Sequence, residues 1–486
     1  MTPDDWVYAS LLLISLAVGP VFARGHLRSA LPFLPASAAV QLVSAFGFLL
    51  CAAVCSSFMW HSVLVALVSA SICSFGPRNR VHALCAAWCF GYLAFFRTCH
   101  LLGFTKPSPH SNAVQLLMTL RMVGVAFEIV DTRRLERRLR DSTDDGERRS
   151  LELQLRYTGV SPKFWQIMLY AYAYPGVLTG PYYRFSIYRD LVDRLQAPGA
   201  PPPPAVGAAL WKRLAYAPLY GVAYLILSQW YFIDYARTDD LLVDSSWAYR
   251  IYFMFAMFTT FRCRMYFAWV VSECVCMAVG LGGYPAASEP RCGEGPTRLE
   301  VLEEQRQQRQ SRPAIDGAGD LNKSDDISYE SVHNIDEAGC EFAPTVQAGM
   351  KAWNRSVQHW LAAFVYRRVP GRALRLPVTM AVSAYWHGVH GGYFLSFLTI
   401  PLARYAEDAL DRLLRRARLN QSVAYLARWF FKMRVFDYTC MGFLLLGAGD
   451  TLRFWAAIGF CLHAASCLLI AADWAAARLA GSGRPA

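Results

Sequence analysis

The sequence predicts an all-α, polytopic membrane protein of about ten or eleven transmembrane helices, some of them re-entrant or broken. Three observations carry this prediction. Apolar windows of about twenty residues recur along the chain. Of the 486 residues, 55% are apolar or aromatic and only 17% charged, where a soluble domain carries about a quarter. The basic residues collect between the apolar windows, so the net charge of +12 reports membrane topology before nucleic-acid binding. A typical soluble enzyme is excluded.

The windows run Trp6–Phe22, Ala36–Cys55, Met59–Cys73, Val81–Phe96, Ala113–Val130, Val206–Phe232, Trp247–Leu281, Val346–Tyr366, Leu376–Leu402, Val423–Leu446 and Leu452–Ala472. The first follows an acidic start, Met1–Asp5, with no basic n-region and no A-x-A cleavage signal, and reads as a retained span. Met59–Cys73 is short for a span, whereas Trp247–Leu281 and Leu376–Leu402 are long enough to bend or split. Arg24 and Arg28 follow the first window, Arg78 and Arg80 the third, and Arg133–Arg156 the fifth. Those exits are expected to be cytosolic and the N-terminus lumenal, with Arg97 and Lys106 running against the scheme. Cysteines such as Cys51, Cys55, Cys85, Cys89, Cys461 and Cys467 lie inside the windows, and no CxxC occurs. Buried thiols are expected, and no metal site.

The expected division is into N-terminal transmembrane helices (1–130), a cytosolic charged segment (131–163), central membrane helices with a Pro/Gly-broken element (164–286), a flexible polar loop (287–340), C-terminal transmembrane helices (341–475) and a tail (476–486). In the charged segment Arg133, Arg134, Arg137 and Arg138 recur at helical spacing. They mark either a solvated helix or one that touches the phosphates of lipid or of a nucleotide-bearing substrate. The polar loop, rich in Glu, Gln, Arg, Asp and Gly, has the composition of a flexible segment. Pro198–Pro204 reads as a stiff connector. No repeat of solenoid period is present.

The broken element, Phe164–Phe185, reads FWQIMLYAYAYPGVLTGPYYRF. Pro175, Gly176, Gly180 and Pro181 interrupt any helix there and free backbone groups that lipid cannot satisfy. Such backbone is tolerated where protein buries it or where it lines a cavity. A kinked span and a re-entrant element beside a substrate cavity are the two readings, and Arg184 just after the break favours the second.

Ionisable residues inside apolar segments are expensive and therefore candidates for function. Arg262 and Arg264 stand in TTFRCRMYFAWVVSECVC, with Glu273 further along the same helix. They are either structural ion pairs or a bidentate phosphate clamp. Ser383–Tyr393 reads SAYWHGVHGGY. Here His387 is flanked by Trp386, Tyr385 and Tyr393 and by Gly388, Gly391 and Gly392, which permit close approach. A neutral imidazole is suited to removing a proton from an alcohol, and His390 is the alternative base or a partner. In GMKAWNRSVQHWLAAF, Asn354 stands between Trp353 and Trp360. Its amide can donate to an oxyanion and accept from a hydroxyl. Asn354 also opens a formal glycosylation sequon, as do Asn322 and Asn420, but one abutting a span goes unused. No GxSxG elbow, P-loop, GxGxxG or HxxxxD pair is present.

Trp386-His387-Gly388 followed by Gly392-Tyr393 resembles the WHGxxxGY signature of the membrane-bound O-acyltransferase family. Trp353-Asn354 with Trp360-Leu361 resembles its asparagine motif, about thirty residues upstream. MTPDDWVYASLLLIS, NAVQLLMTLRMV, GVLTGPYYRF, FRCRMYFAWVVSECVC, GGYFLSFLTIPL and FKMRVFDYTCMGFLLL extend the likeness to the lysophosphatidylinositol acyltransferase branch over nearly the whole chain. The loop Ala287–Gly339 and the last residues match poorly.

The resemblance implies an enzyme of the endoplasmic reticulum membrane. It would move a polyunsaturated, preferably arachidonoyl, chain from acyl-CoA to the sn-2 hydroxyl of lysophosphatidylinositol. The family's histidine and asparagine fall on His387 and Asn354, which makes the 341–475 helices the catalytic ones. Substrate contacts are expected from Trp353, Ser383, Trp386, Tyr182, Arg184, Arg262 and Arg264, the three arginines toward lipid phosphate or inositol. A central tunnel must then bring a CoA head and two lipid tails together while excluding water. Acyl-CoA, lysophosphatidylinositol and the bilayer are the expected partners, and no cofactor is expected, acyl-CoA being a co-substrate. The alternatives are another acceptor, such as a different lysophospholipid, and a non-catalytic transporter or scaffold in which His387 and Asn354 are polar glue between helices.

Overall fold

A computed structural model describes residues 3–23, 36–196, 206–311 and 327–482. In chain order its helices are α1 (Pro3–Ala23), α2 (Ala36–Cys55), α3 (Met59–Phe75), α4 (Val81–Thr98), α5 (Pro109–Asp141), α6 (Asp145–Thr158), α7 (Phe164–Ala171), α8 (Phe185–Gln196), α9 (Val206–Leu214), α10 (Ala217–Leu227), α11 (Trp247–Ala278), α12 (Leu299–Ser311), α13 (Glu337–Phe342), α14 (Val346–Ala352), α15 (Arg355–Phe364), α16 (Arg372–His387), α17 (Gly391–Arg416), α18 (Gln421–Leu445), α19 (Ala448–Ala457) and α20 (Cys461–Ser482). Among the described residues, sheet is confined to two two-residue strands, in which Tyr284 faces Ser328 and Pro285 faces Ile327. The all-α class is as the hydropathy predicts.

Five helical runs among the described residues are long and apolar enough to cross a bilayer by length and composition alone: Asp5–Ala23, Ser37–Phe75, Val81–Leu102, Pro109–Asp141 and Cys461–Leu479. Two later windows are broken where a single span was expected, a third, Leu376–Leu402, splits as its length allowed, and Trp247–Leu281, which could also have split, is one helix to Ala278. Val206–Phe232 divides into α9 and α10, Val346–Tyr366 into α14 and α15 at Trp353-Asn354, and Leu376–Leu402 into α16 and α17 at Gly388-Val389-His390. Pro198–Pro204, Arg24, Arg28 and Asn322 lie outside the described residues. The cysteines are unpaired, and Cys467, expected to be buried, is exposed on α20.

Two compact units interleave along the chain and cut across the linear division expected from composition: 1–217, 268–334 and 355–360 form one, and 218–267, 335–354 and 361–486 the other. The first unit is built around α5. Pro109 occupies the first turn, where a missing N–H costs nothing, and the Ser108 hydroxyl accepts the Ser111 N–H at 3.1 Å. The helix continues without interruption through residue 131 to Asp141, so the charged segment is partly its extension. Of its apolar window 89% is buried, which makes α5 the core of the unit and not a lipid-facing span.

Arg121, fully buried on α5, resolves the two readings of the broken element. Helix α7 stops at Ala171, and the chain is irregular and almost wholly buried until α8 begins at Phe185. Arg121 Nη1 donates to the carbonyls of Tyr170, Ala171 and Ala173 at 3.1, 3.1 and 3.0 Å. Its Nη2 donates to the Pro175 carbonyl at 2.5 Å and to the Tyr183 hydroxyl at 3.0 Å. Two turns on, Glu128 accepts the Phe185 and Ser186 N–H groups at 2.9 and 3.3 Å and so caps α8. The carbonyls that a continuous helix would bond are bonded by one guanidinium. This is a protein-buried break, not a kinked span.

The polar segment 287–340 also departs from the flexible loop expected, in its described parts. Glu303 on α12 pairs with Arg156 at 2.6 Å and accepts from the Tyr157 hydroxyl at 2.9 Å. Composition does not reveal such distant partners.

The second unit has a core of Phe253, Met257, Met380, Phe431, Tyr438, Phe454 and Trp455, to which α11, α16, α18 and α19 contribute. Arg250 repeats the device of Arg121, donating to the carbonyls of Leu241, Val243, Ser245 and Ala457 at 3.1, 3.0, 2.6 and 2.8 Å.

Arg121→Met removes five hydrogen bonds, leaves the Ala171 and Ala173 carbonyls without partners, and leaves those of Tyr170 and Pro175 with only the Ala173 N–H and the Tyr183 hydroxyl. The expected cost is about 3 kcal/mol or more, read as a lower melting midpoint and loss of the monodisperse peak in detergent. Arg121→Lys, which keeps the charge and fewer donors, should fall between. An unchanged melting profile for Arg121→Met contradicts this account.

Candidate active site

His387 is the last residue of α16, and α17 starts four residues later. Its ring is walled by aromatic groups of the same unit: Phe397 stacked at 5.2 Å, Phe443 edge-on at 5.0 Å, Trp386 at 4.6 Å and Tyr393 at 5.9 Å between centroids. The imidazole is half-buried, whereas His390, the first-considered alternative, is exposed at the N-terminus of α17. Trp386 and Ser383, one turn before, are buried.

The glycines of this stretch act through close approach. A Cβ at Gly388 would lie 2.2 Å from the Tyr393 ring, so only glycine lets Tyr393 pack beside His387. A Cβ at Gly392 would lie 2.3 Å from the Gly442 carbonyl oxygen, and the Gly392 N–H donates to the Leu446 carbonyl at 2.7 Å. That contact brings α17 onto the end of α18, which carries Phe443 to the histidine.

Asn354 joins α14 to α15 in the left-handed region, at φ 45° and ψ 55°. Among non-glycine residues Asn tolerates this conformation best, at a cost of order 1 kcal/mol. Its side chain does not cap α15 and makes no hydrogen bond among the described residues. Capping is done by Asn334, whose carbonyl accepts the Arg355 N–H at 2.7 Å. The Asn334 Oδ1 accepts the Ser356 N–H at 3.1 Å and the Ser356 hydroxyl at 2.6 Å. The Asn354 amide is left for another partner. Trp353 packs against Phe258, Phe261 and Tyr266 at 6.5, 6.1 and 5.9 Å, and Phe261 meets Phe443 at 5.7 Å. A run of aromatic contacts therefore links Trp353, beside Asn354, to His387.

Beside Asn334, Glu330 pairs with Arg355 and with His333. Burial opposes the His333 charge, but the Glu330 hydrogen bond and the Glu273 and Glu330 charges outweigh it and raise the pKa. Burial likewise opposes the Glu330 carboxylate and is outweighed by His333 and Arg355, which lower its pKa. The His333 contribution to this cluster is full at low pH and fades as pH rises through the raised imidazole pKa.

The expected substrate contacts divide. Arg262 is committed to Glu341 at 2.7 Å, lies over Phe258 at 4.5 Å and bonds the Thr259 hydroxyl at 3.0 Å. Tyr266 donates to the same carboxylate at 2.8 Å. The phosphate clamp is thus replaced by an internal ion pair, because Arg262 is itself buried and its charge is already matched by Glu341. Its partner is Glu341 and not Glu273, which pairs with Arg213 at 2.6 Å and accepts the Asn334 N–H at 2.8 Å. Arg264 is exposed, with Tyr224 at 5.9 Å. Tyr182 and Arg184 belong to the other unit. Tyr182 is fully buried, its hydroxyl wedged on Gly124, and offers a substrate no surface. Arg184 lines a polar cavity of about 300 Å³, but Glu294 and Glu300 line it too and oppose an anion. Sequence reasoning missed Phe397, Phe443, Asn334 and Glu341. It also missed Arg121 and Glu128, which the rule for ionisable residues in apolar windows would have flagged.

Comparison with known proteins agrees with these motifs. Residues 53–449 match the model of the membrane-bound O-acyltransferase family. The membrane-bound acylglycerophosphatidylinositol O-acyltransferase of Mus musculus is 38% identical over 481 residues, covering 96% of this chain and 93% of that protein. The protein of that name from Homo sapiens is 38% identical over 474 residues, covering 95% and 92%. That from Drosophila melanogaster is 33% identical over 407 residues, covering 82% and 78%.

Because Asn354 holds a left-handed backbone and caps nothing, Asn354→Gly should leave the melting midpoint unchanged or slightly raised. Asn354→Ala should lose about 1 kcal/mol. Equal destabilisation by both would show that the amide has a structural partner. Gly392→Ala should cost about 1–3 kcal/mol by forcing α17 off the Gly442 carbonyl, measured by thermal denaturation in detergent.

Proposed function

The chain belongs to the membrane-bound O-acyltransferase family, and on that premise we propose that it transfers a polyunsaturated, arachidonoyl-type chain from acyl-CoA to the sn-2 hydroxyl of lysophosphatidylinositol. The reaction remodels phospholipid acyl chains and is assigned to the endoplasmic reticulum membrane. The observation that carries this reading is the end-to-end likeness to acylglycerophosphatidylinositol O-acyltransferases, 38% identity over 96% of the chain.

The chemistry assigned to the residues is direct transfer. His387 takes the proton of the lysolipid hydroxyl as its oxygen attacks the thioester carbonyl, and the developing oxyanion receives a hydrogen bond from the Asn354 amide. Collapse of the tetrahedral species breaks the C–S bond, and the imidazolium returns the proton to the CoA sulfur. The products are the diacyl lipid and free CoA, with no acyl-enzyme and no cofactor. The aromatic walls of His387 support this role because they keep water from the thioester. The spare amide of Asn354 supports its role, since a group with no structural partner is available to a reacting one.

Purified protein in nanodiscs, given arachidonoyl-CoA and a panel of lysophospholipids, should label lysophosphatidylinositol selectively. His387→Ala should retain its melting profile and lose about 10²-fold or more of the activity. Asn354→Gly should be stable and slowed by about 10²-fold in kcat. Labelling of another acceptor would overturn the head-group assignment, and full activity in folded His387→Ala would overturn the mechanism.

A further inference from the structure

The arginines of the second half of α5 fall on two faces with different fates. Arg134 and Arg138, one turn apart, are neutralised by Asp131 at 3.3 Å and Glu147 at 2.8 Å. Arg133, Arg137 and Arg140 follow the spacing i, i+4, i+7 and share the adjacent face. None of these three is ion-paired among the described residues, nor is Arg78 in the turn after α3. Instead all four line one open cavity of about 570 Å³ within the first unit, together with Ser74 and Asn79. Arg133 is held there by donating to the Arg78 carbonyl at 2.8 Å. The Ser74 hydroxyl is shielded from solvent and has no hydrogen-bond partner. Glu136 is the single carboxylate in the lining.

We propose that this cavity binds the phosphorylated polyol head group of an anionic membrane lipid. Four guanidinium groups against one carboxylate leave three positive charges in excess. One phosphodiester plus one phosphomonoester on a polyol supplies about three negative charges, whereas a phosphodiester alone supplies one. The Asn79 amide suits the ring hydroxyls of such a head group. Guanidinium binds phosphate in bidentate fashion.

The flanks of the cavity select a lipid over a soluble phosphate. Phe75, next to Ser74, is 81% exposed, and Trp165, shortly after the lining residue Pro162, is 72% exposed. Phe164 joins them, 6.5 Å from Phe75 and 5.5 Å from Trp165. Exposed aromatic groups at the end of membrane helices sit at head-group level. Here they flank a basic pocket between helices, the usual form of a lipid head-group site.

The test uses the full chain in phosphatidylcholine nanodiscs, titrated with fluorescent short-chain phosphatidylinositol 4-phosphate. Saturable binding is expected, weakened about tenfold or more in Arg133→Ala/Arg137→Ala. Arg134→Ala/Arg138→Ala removes the same charge from the paired face and should change binding less than about twofold. Size-exclusion and melting profiles of both variants establish that they are folded. The proposal falls if the two variants weaken binding equally, or if phosphatidylserine or inorganic phosphate competes as well as the phosphorylated lipid. It also falls if free CoA, and not the lipid, is the ligand lost in Arg133→Ala/Arg137→Ala.

Discussion

One guanidinium, that of Arg121, holds the break on which the first unit depends. Between Ala171 and Phe185 the backbone leaves helical geometry inside an apolar protein. Every carbonyl released there must find a donor, since neither lipid nor water is at hand. Arg121 supplies five hydrogen bonds from one side chain, and Glu128 on the same helix closes the start of α8. Hydrophobic burial alone leaves such a segment impossible. Arg250 does the same service for the irregular turns before α11. Arginine suits the task because its planar fork offers several donors in fixed directions and stays charged.

The second constraint is crowding at glycine. Helix α17, which follows His387, is drawn onto α18, which carries Phe443, where Gly392 meets the Gly442 carbonyl, and Tyr393 fills the space that Gly388 leaves open. The WHGxxxGY spacing is then a packing requirement. Its histidine is the proposed base, and its glycines and tyrosine set the packing around it. Asn354 reaches its position differently, through a strained backbone tolerated because Asn334 has taken over the helix cap.

Much of this was legible in the sequence. Apolar periodicity revealed the all-α membrane class, and the Pro175, Gly176, Gly180, Pro181 pattern marked the broken element correctly. The two polar clusters stand out in the sequence by cost alone, since His387 and Asn354 stand where apolar residues were due. What stayed hidden is pairwise. Nothing local says that Arg262 meets Glu341 and not Glu273, or that Asn334 caps a helix that starts about 22 residues later. Glu303 in the polar segment is hidden for the same reason: a charged residue with a distant partner and one in water look alike in sequence. Arg121 and Glu128 were overlooked because they sit in a window whose hydropathy is so strong that two charges barely lower it.

The Arg121 contacts also bear on the order in which the chain is made. Its carbonyl acceptors lie 49–54 residues later in the sequence, so α5 leaves the ribosome well before the backbone it serves. During that interval an apolar helix carries a bare charge whose insertion costs about 2.5–3.5 kcal/mol at the bilayer centre. The insertion machinery must hold α5 in a hydrated setting, or let it sit shallow, until the α7 segment follows. Biogenesis of the first unit is therefore a coupled step in which two segments enter the membrane together, and a pause or truncation between them strands the arginine.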